Sequence, residues 1–156
     1  AAVRQDWRAL EHVALELQAD RSLLLIGVVQ DGHALSHAAA CLRSDLTVVS
    51  TAMRRTVSAL KFAAPALLAN RSLAAAAVER DPSALQFLDA SLRDDDGFVR
   101  AAVLRDGMAL QYASPRLRGN FQLVSSAVRH SGRALLFASE ELRRNRHLLE
   151  AMGGSG

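Results

Sequence analysis

Arginine is the residue in this chain whose chemistry and spacing point most directly to a binding surface. Arginines recur at one constant interval or at twice that interval, in a first column of Arg43, Arg93, Arg118 and Arg143 and a second column of Arg55, Arg80 and Arg105. A guanidinium is always charged and pairs bidentately with carboxylates and phosphates. Arginines along one edge of the protein could therefore hold a phosphate backbone, anionic lipid headgroups or an acidic protein partner.

A structural role would produce the same arginine pattern. If each arginine ends a helix, its charge complements the negative end of the helix dipole and stabilises it by about 0.3–1 kcal/mol. The sequence leaves both interpretations open, so the seven arginines are candidate partner-binding residues.

Metal-binding residue types occur in two places, and a structural interpretation competes in each. His33 and His37 are four residues apart, a spacing that could present two imidazoles to a metal. However, His37 stands where other copies of a repeat have an aromatic residue, and we expect it to pack. We expect His33 to be exposed, and no third ligand is near in sequence. The run Asp94–Gly97 could attract a cation, but Asp95 and Asp96 also suit the start of a helix.

No pattern of catalytic residues emerges. Ser114 and Ser139 have nucleophilic hydroxyl groups, but they recur at one place in the repeat, where we expect them to cap helices. Cys41 is the single cysteine. A Ser-His-acid set, a carboxylate pair or a phosphate-binding loop is not visible. We therefore predict no catalytic residue, no metal, no cofactor and no enzyme activity.

The elements that must position these residues are set by an internal repeat. The pair Ala-Leu recurs at the interval of the arginines and without a gap, at Ala9, Ala34, Ala59, Ala84, Ala109 and Ala134. A leucine follows seven positions after the leucine of each pair, and an aromatic residue or histidine follows two positions after it. The whole chain is thus six copies of one unit, and we expect the aromatic column to be buried.

Two polar columns indicate two helix starts in each copy. One begins at Asp6, Asp31, Thr56, Asp81, Asp106 and Ser131, and the other at Asp20, Asp45, Asn70, Asp95, Asn120 and Asn145. Such short polar side chains accept hydrogen bonds from the free N–H groups that open a helix. Pro65 and Pro115 fall nine positions into the first helix, where a proline either breaks or kinks it. We favour a break, which is followed by a short turn of helix.

The predicted fold is all-α: an α-solenoid of six tandem helical repeats, each with a two-turn helix, a short turn of helix and a second helix. Residues 1–152 would form a single domain with copies beginning near residues 6, 31, 56, 81, 106 and 131. Residues 153–156 would be a flexible Gly/Ser tail. Since one copy cannot bury its apolar face alone, we expect open ends at residues 24–29 and at Leu148, Leu149 and Met152. The phase of the first copy and the Gly-Gly-Ser-Gly ending lead us to expect a processed product.

A resemblance supports this repeat. The stretch DGMALQYASPRLRGNFQLVSSAV, residues 106–128, resembles the repeat of the DUF4116 family, in which G-x-A-L-x-Y/F-A-S-x-x-L-R-x-D precedes a valine-rich helix. The resemblance extends over the chain and is weakest in the first copy, where Trp7 replaces the glycine. It implies a helical repeat whose unit spans two of these copies, and it implies no activity. Members occur in bacteria and in protists, including dinoflagellate algae.

Composition narrows the classes of partner. The net charge is +3, because 16 acidic residues are interspersed with 19 lysines and arginines. This balance argues against a dedicated nucleic-acid binder. No apolar run approaches the roughly 20 residues of a membrane span, although peripheral membrane contact stays open. We therefore expect a non-catalytic protein-interaction module, an accessory subunit docking on a larger assembly. In an alga that assembly could lie in an organelle such as the plastid. The alternative is a binder of RNA, DNA or lipid headgroups through its arginines.

Overall fold

A computed structural model of the chain describes residues 2–12 and 15–153, and within these ranges every regular element is a helix. This confirms the all-α prediction. The α-helices are α1 Ala2–Gln5, α2 Leu15–Gln18, α3 Arg21–Gln30, α4 Ala40–Arg43, α5 Leu46–Arg55, α6 Pro65–Leu68, α7 Arg71–Arg80, α8 Ala90–Arg93, α9 Asp96–Arg105, α10 Pro115–Arg118, α11 Phe121–His130, α12 Glu140–Arg143 and α13 Arg146–Gly153. Within the described ranges, none of these helices combines the length and the apolar character that crossing a membrane requires.

A 3-10 helix of six residues precedes each of the short α-helices from α2 onward. These helices are η1 Trp7–His12, η2 Gly32–His37, η3 Val57–Phe62, η4 Pro82–Phe87, η5 Gly107–Tyr112 and η6 Gly132–Phe137. Each copy therefore has the predicted order of a two-turn helix, a short helix and a longer helix. The first copy, which fits the family pattern least, also forms its 3-10 helix. Of the predicted tail, Gly153 ends α13 and residues 154–156 lie outside the described residues.

The helices form two compact units, residues 1–80 and residues 81–156. In the first unit, α3 packs on α5 and α5 on α7, while η2 packs against η3. In the second unit, α9 packs on α11 and α11 on α13, and η4, η5 and η6 pack in sequence. Successive copies thus bury one another within each unit. The continuous six-copy solenoid and the single domain over residues 1–152 stay predictions.

The polar columns act as helix caps, largely as predicted. All six residues of the Asp/Asn column that precede the longer helices accept a backbone hydrogen bond, as Asn120 does from Leu123 N at 3.1 Å. In the other column the side chains of Asp31 and Asp106 cap their 3-10 helices, whereas those of Thr56 and Ser131 make no capping bond. The capping prediction is wrong for these two hydroxyl side chains.

One extended residue links each longer helix to the 3-10 helix that follows it. Asp106 has φ −146° and ψ 110°, and its N–H donates to Ala102 O at 2.9 Å, so it ends α9. Its carboxylate also accepts from Met108 N at 2.9 Å and opens η5. Because one residue is both caps, the chain turns without a loop, and this explains why successive copies follow one another without a gap.

The short helices begin where the sequence places a break. Pro65 and Pro115 are the first residues of α6 and α10, where a proline costs no hydrogen bond. Ser114 and Ser139 cap α10 and α12 by accepting from Leu117 N and Leu142 N. The break is confirmed over the single kinked helix, and the capping role of both serines is confirmed as well.

The core follows the Ala-Leu column. Leu35 and Leu110 are fully buried, and so are apolar residues of the longer helices, such as Val48 and Leu123. The expected burial is wrong in part at both predicted open ends and in the aromatic column. At the ends, Leu24, Val28 and Leu148 are buried by packing within their own units, whereas Val29 and Leu149 are exposed as expected. The side chain of Met152 lies outside the described part. His12 is exposed, and the other five members of the aromatic column are only half-buried.

Close approach between copies explains a glycine at the start of the 3-10 helix. A Cβ atom on Gly107 would collide with the carbonyl oxygen of Ala127 on the next longer helix. Gly32 stands in the same relation to Ala52 O in the first unit. The glycine therefore lets η5 lie directly against α11, which fixes the distance between neighbouring copies.

Candidate anion-binding pocket

The seven candidate arginines all end helices. Arg43, Arg93, Arg118 and Arg143 are the last residues of the four-residue helices α4, α8, α10 and α12. Arg55, Arg80 and Arg105 are the last residues of the longer helices α5, α7 and α9. The predicted placement at helix ends is confirmed. Whether either column forms a continuous ladder along the chain stays a prediction.

The backbone of the first arginine column is fixed by the next copy. Ser114 N donates to Arg93 O at 2.9 Å, and Ser139 N donates to Arg118 O at 2.9 Å. In the first unit Ala64 N donates to Arg43 O in the same way. These bonds join the end of each short helix to the break in the next copy. Each of these arginines is thereby held at the junction between two copies.

Two of these arginines line one pocket in the second unit. The cavity has a volume of about 350 Å³, and Arg93, Arg118, Gln86, Gln111 and Tyr112 contribute to its polar lining. This volume is within the roughly 300–1,000 Å³ typical of ligand sites. Ala90, Ala113 and Pro115 add apolar wall, and none of the residues that line the pocket is acidic. Two positive charges therefore face a cavity without a counter-charge in its lining.

The guanidinium groups of the pocket have unused hydrogen-bond donors. Nε of Arg93 and Nε of Arg118 are buried from solvent, and neither has a hydrogen-bond partner among the described residues. A buried donor without a partner costs about 1–3 kcal/mol, and more for a charged group. The fold thus leaves one hydrogen-bond donor on each of these two guanidiniums unpaired.

The two glutamines occupy equivalent positions in the fourth and fifth copies. Nε2 of Gln86 donates to Ser83 O at 3.0 Å, and Nε2 of Gln111 donates to Met108 O at 3.1 Å. Each bond ties the amide to the 3-10 helix that carries it. One N–H of each amide and its oxygen atom stay available, because a primary amide has two donors and an acceptor.

A polar cluster that includes the pocket residue Ser114 occupies the carboxylate of Asp94. Ser114 Oγ donates to Asp94 Oδ1, and Arg116 Nε donates to the same oxygen at 3.0 Å. These two hydrogen bonds, that of Ser114 first, hold the pKa of Asp94 below its usual range. Asp94 is thus ionised and paired outside the pocket, and it is bound to Arg116 rather than to Arg93 or Arg118.

The second arginine column has a different environment. Arg55, Arg80 and Arg105 are exposed at the ends of their helices. Arg80 borders a cavity of about 370 Å³ in the first unit, together with Met53, Arg54 and Glu79. Because a glutamate shares that cavity, its positive charge is partly balanced, and it is a weaker candidate for an anion site.

The histidines serve contacts between side chains. His33 is half-buried rather than exposed, so that expectation is wrong: its Nδ1 lies 3.0 Å from Asp31 Oδ1, and its Nε2 lies 3.0 Å from Ser58 Oγ in the next copy. His37 packs near Trp7, with ring centroids 6.0 Å apart. In the described part of the chain, no three His, Cys, Asp or Glu side chains come together as a metal site would require.

The remaining candidates have structural partners or stand alone. Asp95 caps α9 by accepting from Phe98 N at 3.1 Å, and Asp96 pairs with Arg100 at 3.1 Å within the same helix. The capping interpretation of this acidic run is confirmed for Asp95. Cys41 is exposed and is not in a disulfide.

Three residues of the pocket escape prediction from the sequence: Gln86, Gln111 and Tyr112. The glutamine column varies along the chain, which indicates surface, and the aromatic column indicates core. The sequence does contain one indication of the pocket. The fourth and fifth copies alone have a glutamine after Ala-Leu together with an arginine seven positions later.

Comparison with known families places this region. Two overlapping matches to the family described as "Domain of unknown function (DUF4116)" cover residues 70–118 and 95–143. Residues 70–143 match the model of this family. The suspected resemblance is thereby confirmed over this stretch. Nothing among curated proteins or solved structures matches the chain.

The two DUF4116 matches start at residues 70 and 95, so they are offset by one copy of the repeat. Each match covers nearly two copies, and this agrees with a DUF4116 unit made of two copies. All residues that line the pocket lie within the first match, residues 70–118. The pocket is therefore formed by the fourth and fifth copies of the repeat, within a single match. The family description assigns no activity.

Proposed function

We propose that the chain is a non-catalytic interaction module that binds an acidic segment of another protein, as an accessory subunit of a larger assembly. The observation that carries this proposal is the pocket with Arg93 and Arg118, whose buried Nε atoms have no partner among the described residues. Most other polar side chains near the junctions between copies serve caps or cross-links. Arg93 and Arg118 are therefore the residues that we propose contact the partner.

Protein fits this surface better than nucleic acid does. Proteins that bind single strands stack bases on exposed aromatic rings, whereas the aromatic column here is half-buried apart from the exposed His12. The pocket also contains amide oxygens, which accept hydrogen bonds and find no donor on a phosphodiester. A peptide offers both the carboxylate for the arginines and the N–H groups for the amides.

The test is a calorimetric titration with an acidic peptide whose ends are acetylated and amidated. The Arg93→Gln/Arg118→Gln variant removes both charges of the pocket. A charge-assisted hydrogen bond contributes about 1.5–3 kcal/mol, so affinity should fall at least about tenfold. The matched control is Arg55→Gln/Arg105→Gln, which removes the same charge from two exposed helix ends and should change affinity less than about threefold.

Equal losses in the two variants would show that only net charge matters. Binding of the native chain that is unaffected by Arg93→Gln/Arg118→Gln would place the partner site elsewhere. Either result contradicts the proposal. Thermal unfolding of both variants, which we expect to resemble that of the native chain, verifies that the proteins compared are folded.

A second candidate is a binder of anionic polymers through the second arginine column. The favouring observation is that Arg55, Arg80 and Arg105 are all exposed, and no ion pair with them is seen among the described residues. Such binding would weaken steeply with salt because it releases counterions. A titration of single-stranded RNA at low and at roughly physiological salt tests it, with a steep loss of affinity in its favour.

A further inference from the structure

Each of the two copies that form the pocket contributes one glutamine and one arginine to it. Gln86 and Arg93 come from the fourth copy, and Gln111 and Arg118 occupy the same two positions in the fifth. Each glutamine is tied to its own 3-10 helix by an Nε2 hydrogen bond, as described above. The cavity therefore has one amide and one guanidinium from each of two consecutive copies.

We infer that this pocket recognises an extended peptide main chain together with one acidic side chain. Arg93 and Arg118 bind the carboxylate of a glutamate or aspartate, and the amides of Gln86 and Gln111 bind the peptide groups that flank it. This inference rests on the proposed function and specifies its ligand. It assigns Gln86 and Gln111 as specificity-determining residues.

Complementarity of donors and acceptors supports the peptide main chain as the ligand. Each glutamine retains one N–H donor and one oxygen acceptor, which match the C=O and N–H groups of a peptide. A free carboxylate or a phosphodiester only accepts hydrogen bonds, so neither offers a donor to the amide oxygens. The unpartnered Nε atoms of the arginines meanwhile match a carboxylate, with which guanidinium groups pair bidentately.

The apolar part of the lining fits the rest of such a ligand. Ala90, Ala113 and Pro115 provide wall between the polar groups, where the methylene groups of an acidic side chain can pack. The cavity of about 350 Å³ has the size of a site for one side chain with its adjoining main chain, rather than for a folded partner. The partner is therefore an extended segment with an acidic residue at its centre.

The chain itself supplies conservative replacements for a test. Leucine stands at position 136, where the sixth copy has the equivalent of Gln111. That side chain is 69% exposed, so leucine is compatible with the fold at this position of a copy. Gln86→Leu/Gln111→Leu therefore removes the amides while keeping a residue that the repeat already accepts. Gln122→Leu, on the exposed face of α11, is the matched control.

The experiment is calorimetry with a peptide of glycine, serine and one central glutamate, with blocked ends. Gln86→Leu/Gln111→Leu should lower its affinity at least about tenfold, and Gln122→Leu less than about twofold. On the native protein, N-methylation of the two amides that flank the glutamate should cause a similar loss. Inorganic phosphate, free glutamate and a peptide whose only carboxylate is its C-terminus should bind at least about tenfold more weakly.

Several results would overturn the inference. Peptide binding could require Arg93 and Arg118 but be unaffected by Gln86→Leu/Gln111→Leu and by N-methylation. The pocket would then recognise charge alone, and the proposed function would stand without this inference. If free glutamate, phosphate or the C-terminal carboxylate binds as tightly as the peptide, main-chain recognition is wrong. If no acidic peptide binds the native chain, both the inference and the proposed function fail. The N-methylated peptide needs no variant, so it decides the matter even if a variant does not fold.

Discussion

The same place in the repeat looks different in the two units of the chain. Between the fourth and fifth copies, the pocket has two arginines and two glutamines. Between the second and third copies, the equivalent residues are Ser36, Arg43, Lys61 and Leu68. The helices around them have the same lengths, and the link from the break to the short helix is present in both, as Ser114 N to Arg93 O and Ala64 N to Arg43 O.

The helical scaffold is therefore the same at the two junctions, whereas the side chains on their surfaces differ. Caps, buried leucines and the backbone links recur in both units, so they do not determine what a junction between copies can bind. In the first unit Lys61 Nζ lies 4.8 Å from the centre of the Phe62 ring, and Leu68 carries no charge. In the second unit, two arginines of the first column line one pocket, which is why we propose binding there.

The cross-links between copies differ in the same way. In the first unit, His33 joins Asp31 to Ser58 of the next copy. In the second unit, Asp94 is bound by Ser114 and Arg116 of the next copy. Asp94 is therefore paired with side chains of the next copy, whereas Asp31 is paired with His33 of its own copy, and His33 contacts Ser58 of the next.

The largest expected effect concerns what the units share. Leu35→Ala and Leu110→Ala each remove a fully buried side chain from equivalent positions, and each should lower the free energy of unfolding by about 2–5 kcal/mol. Gln111→Ala, beside Leu110, should cost less than about 0.5 kcal/mol because its side chain is half-buried at the pocket. Chemical denaturation measures all three. Equal losses for Leu110→Ala and Gln111→Ala would show that the phase of the repeat is wrong.

The second prediction concerns the transfer of the pocket side chains to the first unit. Ser36→Gln, Lys61→Gln, Phe62→Tyr and Leu68→Arg together give the junction beside Arg43 the glutamine, tyrosine and arginine side chains of the pocket, while Ala64 stays in place of Ser114. If the scaffolds are equivalent, the variant should bind a second acidic peptide, with an affinity within about tenfold of the native site.

Calorimetric stoichiometry measures the outcome of this transfer. The control has the first three substitutions and keeps Leu68, so it should bind one peptide per chain like the native protein. A stoichiometry of one in the full variant would mean that the pocket depends on more than the transferred side chains, which contradicts equivalent scaffolds.

The smallest change that we expect is in the stability of the fold at low pH. The pKa of Asp94 is held below its usual value by Ser114 and Arg116, so its ionised form is favoured in the folded state. The resulting stabilisation is present above the unfolded pKa of about 3.9 and is lost as the pH falls through the lower folded pKa. Asp94→Asn should therefore be less stable than the native chain at neutral pH, and the difference should shrink below about pH 4. Arg116→Gln should reduce the same pH dependence, and an unchanged pH profile in both variants would contradict this assignment of Asp94.

The sequence predicts the helical architecture because that architecture depends on local chemistry repeated six times. Asn120 caps the helix that follows it, Pro115 begins a short helix, and Leu110 is buried, each as its residue type implies. The 3-10 form of the first helix does not follow from the capping pattern. Its signal is a period of three, since Gly107, Leu110 and Ala113 are all buried, and side chains three apart share one face of a 3-10 helix.

The candidate site could be predicted only in part, because it depends on contacts between copies. The arginine columns and their helix-end positions follow from spacing, but all seven arginines look alike in the sequence. Only packing shows that Arg93 and Arg118 line one pocket and that Nε of each is buried, while Arg105 is exposed. The place of Gln111 in the pocket could not be inferred from its variable column, since residues of the neighbouring copy, such as Arg93, complete the pocket.

Arginine Nε–H resonances give the most direct test of the central claim, that Arg93 and Arg118 bind the carboxylate of a partner. A ¹⁵N-edited NMR titration with the blocked acidic peptide observes these groups individually. We predict that the Nε–H signals of Arg93 and Arg118 shift as the peptide saturates the protein and become slower to exchange with solvent. Those of Arg55, Arg80 and Arg105 should keep their positions. Unmoved signals from Arg93 and Arg118, or equal shifts at all five arginines, would contradict the account.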